Sequence, residues 1–137
     1  MFPDNKNFID LFIEIGILYR KIQFVLQKKL IENNISTNDI QTIILYLLNV
    51  SPNTAEKISK NSYLMISNVL FNLMSLEELD FIIDENKSLD NKFQYPIKLS
   101  KKGEDIVNKI NKITKNLPVE NNFYTLISKY HKIIEKF

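Results

Sequence analysis

The sequence predicts a mainly α-helical chain carrying one small β-hairpin. Three observations predict it. Apolar residues recur every three to four positions along most of the chain, which is the period of a helix face. Glycine occurs twice and proline four times in 137 residues, too rarely for a turn-rich all-β fold. Two short apolar segments, 81–83 and 93–99, flank a polar stretch in the manner of a hairpin.

Residues 7–32 read as one long helix. Phe8, Phe12, Ile15, Leu18, Ile22, Val25 and Leu26 mark one face, and Ile9, Ile13, Ile17 and Phe24 mark another. A helix apolar on two faces must be covered on two sides. A domain of this size covers one, and a partner subunit would cover the other. Asn33 and Asn34, which tolerate left-handed backbone, end it. Ser36 and Asp39 have the spacing of a capping box and start a second helix along Ile40, Ile43, Ile44, Leu47 and Leu48. Ser51, Pro52 and Asn53 break it. A short third helix, 54–60, turns Ile58 inward, and 61–63 form a turn. A fourth helix buries a spine of Val69, Leu73 and Leu76. Then come a strand at 81–83, a polar tip at 84–91 and a returning strand at 93–99, which Pro96 makes an edge strand. Ser100 caps a fifth helix, 101–116. Pro118 interrupts, and 120–136 form a sixth.

A helix pair followed by a hairpin is a winged helix-turn-helix, and the flanking helices suit a homodimer. The expected division is an N-terminal dimerisation helix, 1–34; a winged helix-turn-helix domain, 35–100; and C-terminal dimerisation helices, 101–137.

Composition excludes several chemistries. Without cysteine there is no disulfide, thiolate nucleophile or sulfur-ligated zinc, and a single histidine excludes a multi-histidine metal site. No glycine-rich phosphate loop, no interpretable Ser-His-Asp set and no HExxH motif occur. No enzyme, catalytic residue, metal or cofactor is therefore expected. The polar N-terminus lacks a secretory signal, and no run of apolar residues suits a membrane span, so a cytoplasmic protein without membrane contact is expected. Asn, Ile and Lys make up 55 of the residues, a coding bias without functional content. Net charge is +2, but 51–92 carry −3 and 93–137 carry +5. Glu77, Glu78, Asp80, Asp84 and Glu85 read as solvated acids, Lys109, Lys112 and Lys115 as a solvated face, and His131 as structural.

Three strings, in this order, resemble the MarR family of dimeric winged-helix regulators. Residues 54–59, Thr-Ala-Glu-Lys-Ile-Ser, resemble the family's T-A-x-E-L-A. Residues 76–82, Leu-Glu-Glu-Leu-Asp-Phe-Ile, resemble L-E-E-K-G-L-I. Residues 99–103, Leu-Ser-Lys-Lys-Gly, resemble L-T-E-K-G. Each has a physical reason. Leu76, Phe81 and Ile82 pin the hairpin to the fourth helix. Asp80 reverses the chain where φ is positive, and Gly103 permits close backbone approach. The resemblance spans essentially the whole chain. It implies a transcriptional regulator whose recognition helices enter successive major grooves of double-stranded DNA.

On that alignment the recognition helix begins near Met65. Its polar readers would be Ser67 and Asn68, with Lys60, Lys87 and Lys92 on phosphates. The family's groove-facing Arg falls on Phe71, or on Asn68 if the helix alignment shifts by three residues; neither register supplies a guanidinium, and Arg20 is the chain's one arginine. Residues 61–92 carry two lysines against six acids. The resemblance also implies a pocket for a small aromatic or acidic ligand, for which Tyr19, Arg20 and Tyr46 are the candidates. The alternative is a winged-helix protein that has lost DNA reading and binds a protein partner through Ile66, Leu70 and Phe71, with Met74 beside them. Exposure of those side chains among acids would favour the alternative. Their burial beside a basic, polar surface would favour DNA.

Overall fold

The computed structural model describes residues 6–86 and 89–137. The first helix, α1 (Phe8–Glu32), starts at a reciprocal cap: Asp10 N–H donates to Asn7 Oδ1 and Asn7 N–H to Asp10 Oδ2, each at 3.0 Å. Helix α2 (Asp39–Val50) starts the same way, but its cap is Asn38 and not Ser36. The capping residue must directly precede the first helical residue in extended backbone, and Asn38 has ψ 179°. Gln41 then falls at the reciprocal position, its N–H 2.7 Å from Asn38 Oδ1.

Helix α3 (Ala55–Ser62) is capped by Thr54 and runs two residues past its expected end. Ser62 Oγ donates to Ile58 O at 2.6 Å, and the helix closes on Tyr63 at φ 59°. Helix α4 (Ile66–Glu78) ends at a reversal in which Asp80 takes φ 61°, as its place in the pattern required. Strands β1 (Ile82–Ile83) and β2 (Lys98–Leu99) pair antiparallel, with Ile82 opposite Leu99. The returning strand is shorter than expected. Phe93 takes φ 66°, which no strand accommodates, and Ile97 bridges Asn53 through mutual N–H···O bonds of 3.0 and 2.7 Å. Helix α5 (Lys101–Thr114) is capped by Ser100, and α6 (Asn121–Ile134) follows Pro118.

The main core joins α2, α3, α4, the hairpin and α5. Ile44, Leu45, Ile58, Ile97 and Val107 are fully buried, as are Val69, Leu73 and Leu76, the expected spine of α4. A smaller cluster of Leu30, Ile35 and Ile110 ties the end of α1 to α5. Asp84 departs from the expectation of a solvated acid. It is buried, and its carboxylate accepts from Phe93 N–H at 2.9 Å and Asn86 N–H at 3.1 Å. It holds the base of the wing by satisfying backbone donors.

Outside this core the apolar faces of α1 stay open: Phe8, Phe12, Ile15, Ile22 and Phe24 are all exposed. No residue of α6 is buried, although Phe123, Tyr124, Leu126, Ile127, Ile133 and Ile134 lie on it. Among the described residues no helix is long and apolar enough to cross a membrane.

Candidate functional site

Two regions gather the candidate residues. The first is the outer face of α4. Its inner side is anchored by Val69, Leu73 and Leu76 and by Asn72, whose buried Oδ1 accepts from Asn38 Nδ2 at 3.1 Å. Asn72 therefore locks α4 to the start of α2. At 100° per residue the outer arc carries Ile66, Ser67, Leu70, Phe71, Met74, Glu77 and Glu78, with Asn68 at its edge. Ser67 and Asn68 are exposed, as a base reader must be. Ser67, however, stands among apolar neighbours. Phe71 is 69% exposed, Met74 53%, Ile66 46% and Leu70 37%.

Of the lysines assigned to phosphates, Lys60 and Lys92 have carboxylate partners. Lys92 pairs with Glu77 of α4, and its Nζ lies 5.3 Å from the centre of the Phe93 ring. Lys60 pairs with Glu56 one helical turn away at 3.2 Å, with both side chains largely in water. Lys98, on β2, pairs with Glu85 at 3.0 Å. Lys87 lies outside the described residues. The structure thus brings Lys92 to α4 but leaves Lys60 satisfied within α3. Sequence reasoning missed the Glu77–Lys92 pair, because its members are fifteen residues apart and belong to different elements.

The second region is a cleft of about 640 Å³ between α1, α2 and the end of α5. Ile22, Val25, Leu26, Ile43 and Ile110 give it apolar walls. Tyr19 and Tyr46, both expected there, line it. Tyr19 O–H donates to Asp39 Oδ2 at 3.2 Å, and Tyr46 O–H donates to Asn111 Oδ1. Burial pushes the Tyr19 hydroxyl pKa up, and the Asp39 charge and hydrogen bond push it the same way. Burial alone raises that of Tyr46. Arg20 does not join them. One residue on from Tyr19 it points about 100° around the helix, into an adjoining groove with Ile17 and Phe24 that shares Lys21 and Val25 with the cleft. Lys21 is the one cation among the cleft's lining residues, and Asp39 the one anion. Asp39, Asn111 and Thr114 were not legible as pocket residues. Asp39 reads in the sequence only as a helix-start residue, and Asn111 and Thr114 only as polar positions on a largely polar helix.

No protein-family model matches the chain, and no curated protein matches it. Solved structures do match. The transcriptional regulator BldR from Sulfolobus solfataricus has TM-score 0.74 and 18% identity, covering 96% of this chain and 100% of its own. Staphylococcus aureus MarR, solved with salicylate and kanamycin, has TM-score 0.71 and 21% identity over 93% of this chain and 91% of its own. The transcriptional regulator SlyA has TM-score 0.67 and 19% identity over 93% of each chain. The chain has the winged-helix fold of these regulators.

Proposed function

We propose that this chain, with its MarR-type winged-helix fold, works as a homodimeric transcriptional regulator. The observation that carries the reading is the likeness of fold, which runs over nine-tenths or more of this chain and of the regulators it matches. The open apolar faces of α1 and α6 support dimerisation, because helices exposing that many aromatic and aliphatic side chains need a cover. Two heads held by one helical base could meet successive major grooves. The cleft between α1, α2 and α5 would take a small, mainly apolar ligand. Bound at the base, it would shift the spacing of the heads. With Arg20 facing elsewhere, a ligand carboxylate would have Lys21 as its cation, and Asp39 would favour a hydrogen-bond donor.

The test is binding of the purified protein to genomic fragments at two salt concentrations, with sedimentation to give the mass. A dimer that binds selected fragments, more weakly as salt rises, is the expected result. A monomer, or a dimer binding no fragment at low salt, would overturn the DNA-binding form of the proposal.

A second reading is favoured by one observation, the exposure of Ile66, Leu70, Phe71 and Met74 along α4. There the fold is kept and the head meets a protein.

A further inference from the structure

We infer that the outer face of α4 docks a basic amphipathic helix of a partner protein. This rests on the second reading above and names the partner's chemistry.

The face is apolar by construction. Ile66, Leu70 and Met74 follow one another at one-turn intervals, with Phe71 beside them, and all four are exposed while Val69, Leu73 and Leu76 fill the opposite side. Two of the chain's three methionines, Met65 and Met74, stand at this surface. Methionine is unbranched and polarisable, and surfaces rich in it adapt to partner helices.

Charge selects the partner. Helix α4 holds no cation. Its two acids stand in its last turn, at the negative end of the helix dipole, where an anion is disfavoured. Glu77 is neutralised there by Lys92. Glu78 is exposed, lies in line with Phe71 and Met74, and makes no ion pair among the described residues. Among the described lysines of the head, Lys60, Lys92 and Lys98 have carboxylate partners, while Lys57, on α3, is exposed and has none. A nucleic-acid phosphate would meet apolar side chains and an unpaired carboxylate. A helix with an apolar stripe and a Lys or Arg near one end would cover the former and neutralise the latter.

The experiment uses the full chain and two fluorescein-labelled amphipathic helical peptides. They share a leucine stripe and differ in carrying Lys or Glu on the polar face, and fluorescence anisotropy reads their binding. The lysine peptide should bind. Phe71→Ser, which changes an exposed side chain, should weaken it about tenfold. Glu78→Lys should shift the preference towards the glutamate peptide. Preference of the unaltered protein for the glutamate peptide would overturn the basic partner and leave protein docking standing. Failure to bind either peptide, or indifference to both substitutions, would overturn the docking site itself. So would a DNA duplex that binds the unaltered chain and is lost with Phe71→Ser. Sedimentation showing that Phe71→Ser dissolves an assembly larger than a dimer would assign the face to another copy of the chain, which also overturns the proposal.

Discussion

A methyl group on Gly103 would stand 2.0 Å from the carbonyl oxygen of Phe81 and 3.0 Å from its carbon. Those are backbone atoms. The same carbonyl accepts Ser100 N–H at 3.0 Å, so it cannot move aside without losing the crossing of hairpin and α5. Gly103→Ala should therefore cost about 3 kcal/mol, seen as a lower urea midpoint. An unchanged midpoint would refute the close approach. The need for glycine was legible in the sequence; the atom that demands it was not. Tyr19 supports a pH prediction. Its hydroxyl keeps its proton to higher pH in the folded chain than the ordinary 10.0, through burial and then Asp39. The folded state therefore holds a proton that the unfolded chain loses first. Stability should fall as pH rises above 10 towards the folded value, and Tyr19→Phe should make that fall shallower. Urea titrations on either side of that pH check it, and parallel losses in both proteins would sink it.

The starts of the helices show how element boundaries are chosen. Every residue from Ser36 to Asp39 has a side chain able to cap, so spacing alone could not select among them. Asn38 prevails because it serves two partners: it caps α2 through Gln41 and donates to Asn72 of α4. Asn38→Ala should cost about 1–2 kcal/mol, and Ser36→Ala, at an exposed position, well under 0.5 kcal/mol. Thermal or urea unfolding of the two variants gives the comparison. Equal losses would return the cap to Ser36. The wing shows a different limit. The strand pattern of 93–99 was visible, but the left-handed turn at Phe93 and the buried carboxylate of Asp84 replace most of the expected ladder. The spacing by two finds the inward side chains only in part: Phe93, Ile97 and Leu99 are buried, but Tyr95 is 59% exposed. It does not report which backbone groups pair.

At the scale of the molecule, α1 and α6 leave more apolar surface open than the rest of the chain can cover. A second copy is the proposed cover. Ile13→Asp, on an exposed face of α1 remote from the core of the head, should leave the fold intact, by circular dichroism, and convert a dimer to a monomer. A dimer of unchanged affinity in sedimentation would move the interface off that face. The head poses the complementary problem: an outer helix well anchored within and apolar without, with Lys60, Lys92 and Lys98 paired to carboxylates. Its behaviour should depend on Phe71 and Glu78 more than on Ser67.

The order of the elements, the buried spine of α4, the reversal at Asp80 and the glycine at 103 are all legible from the residues without coordinates. The first three depend on residues within a few turns of one another, where periodicity and backbone preference suffice; the glycine answers to Phe81 in another element and was legible through the family resemblance. Which charges are paired and which residues share a cleft follow from contacts between elements. Glu77 meets Lys92, Tyr19 meets Asp39 and Tyr46 meets Asn111 across different helices or between helix and wing, while Arg20 turns away from its neighbour Tyr19. A helix's sequence says which of its sides is apolar. What that side faces, and whether a nearby cation still has charge to offer, depends on elements that only the completed fold brings into contact.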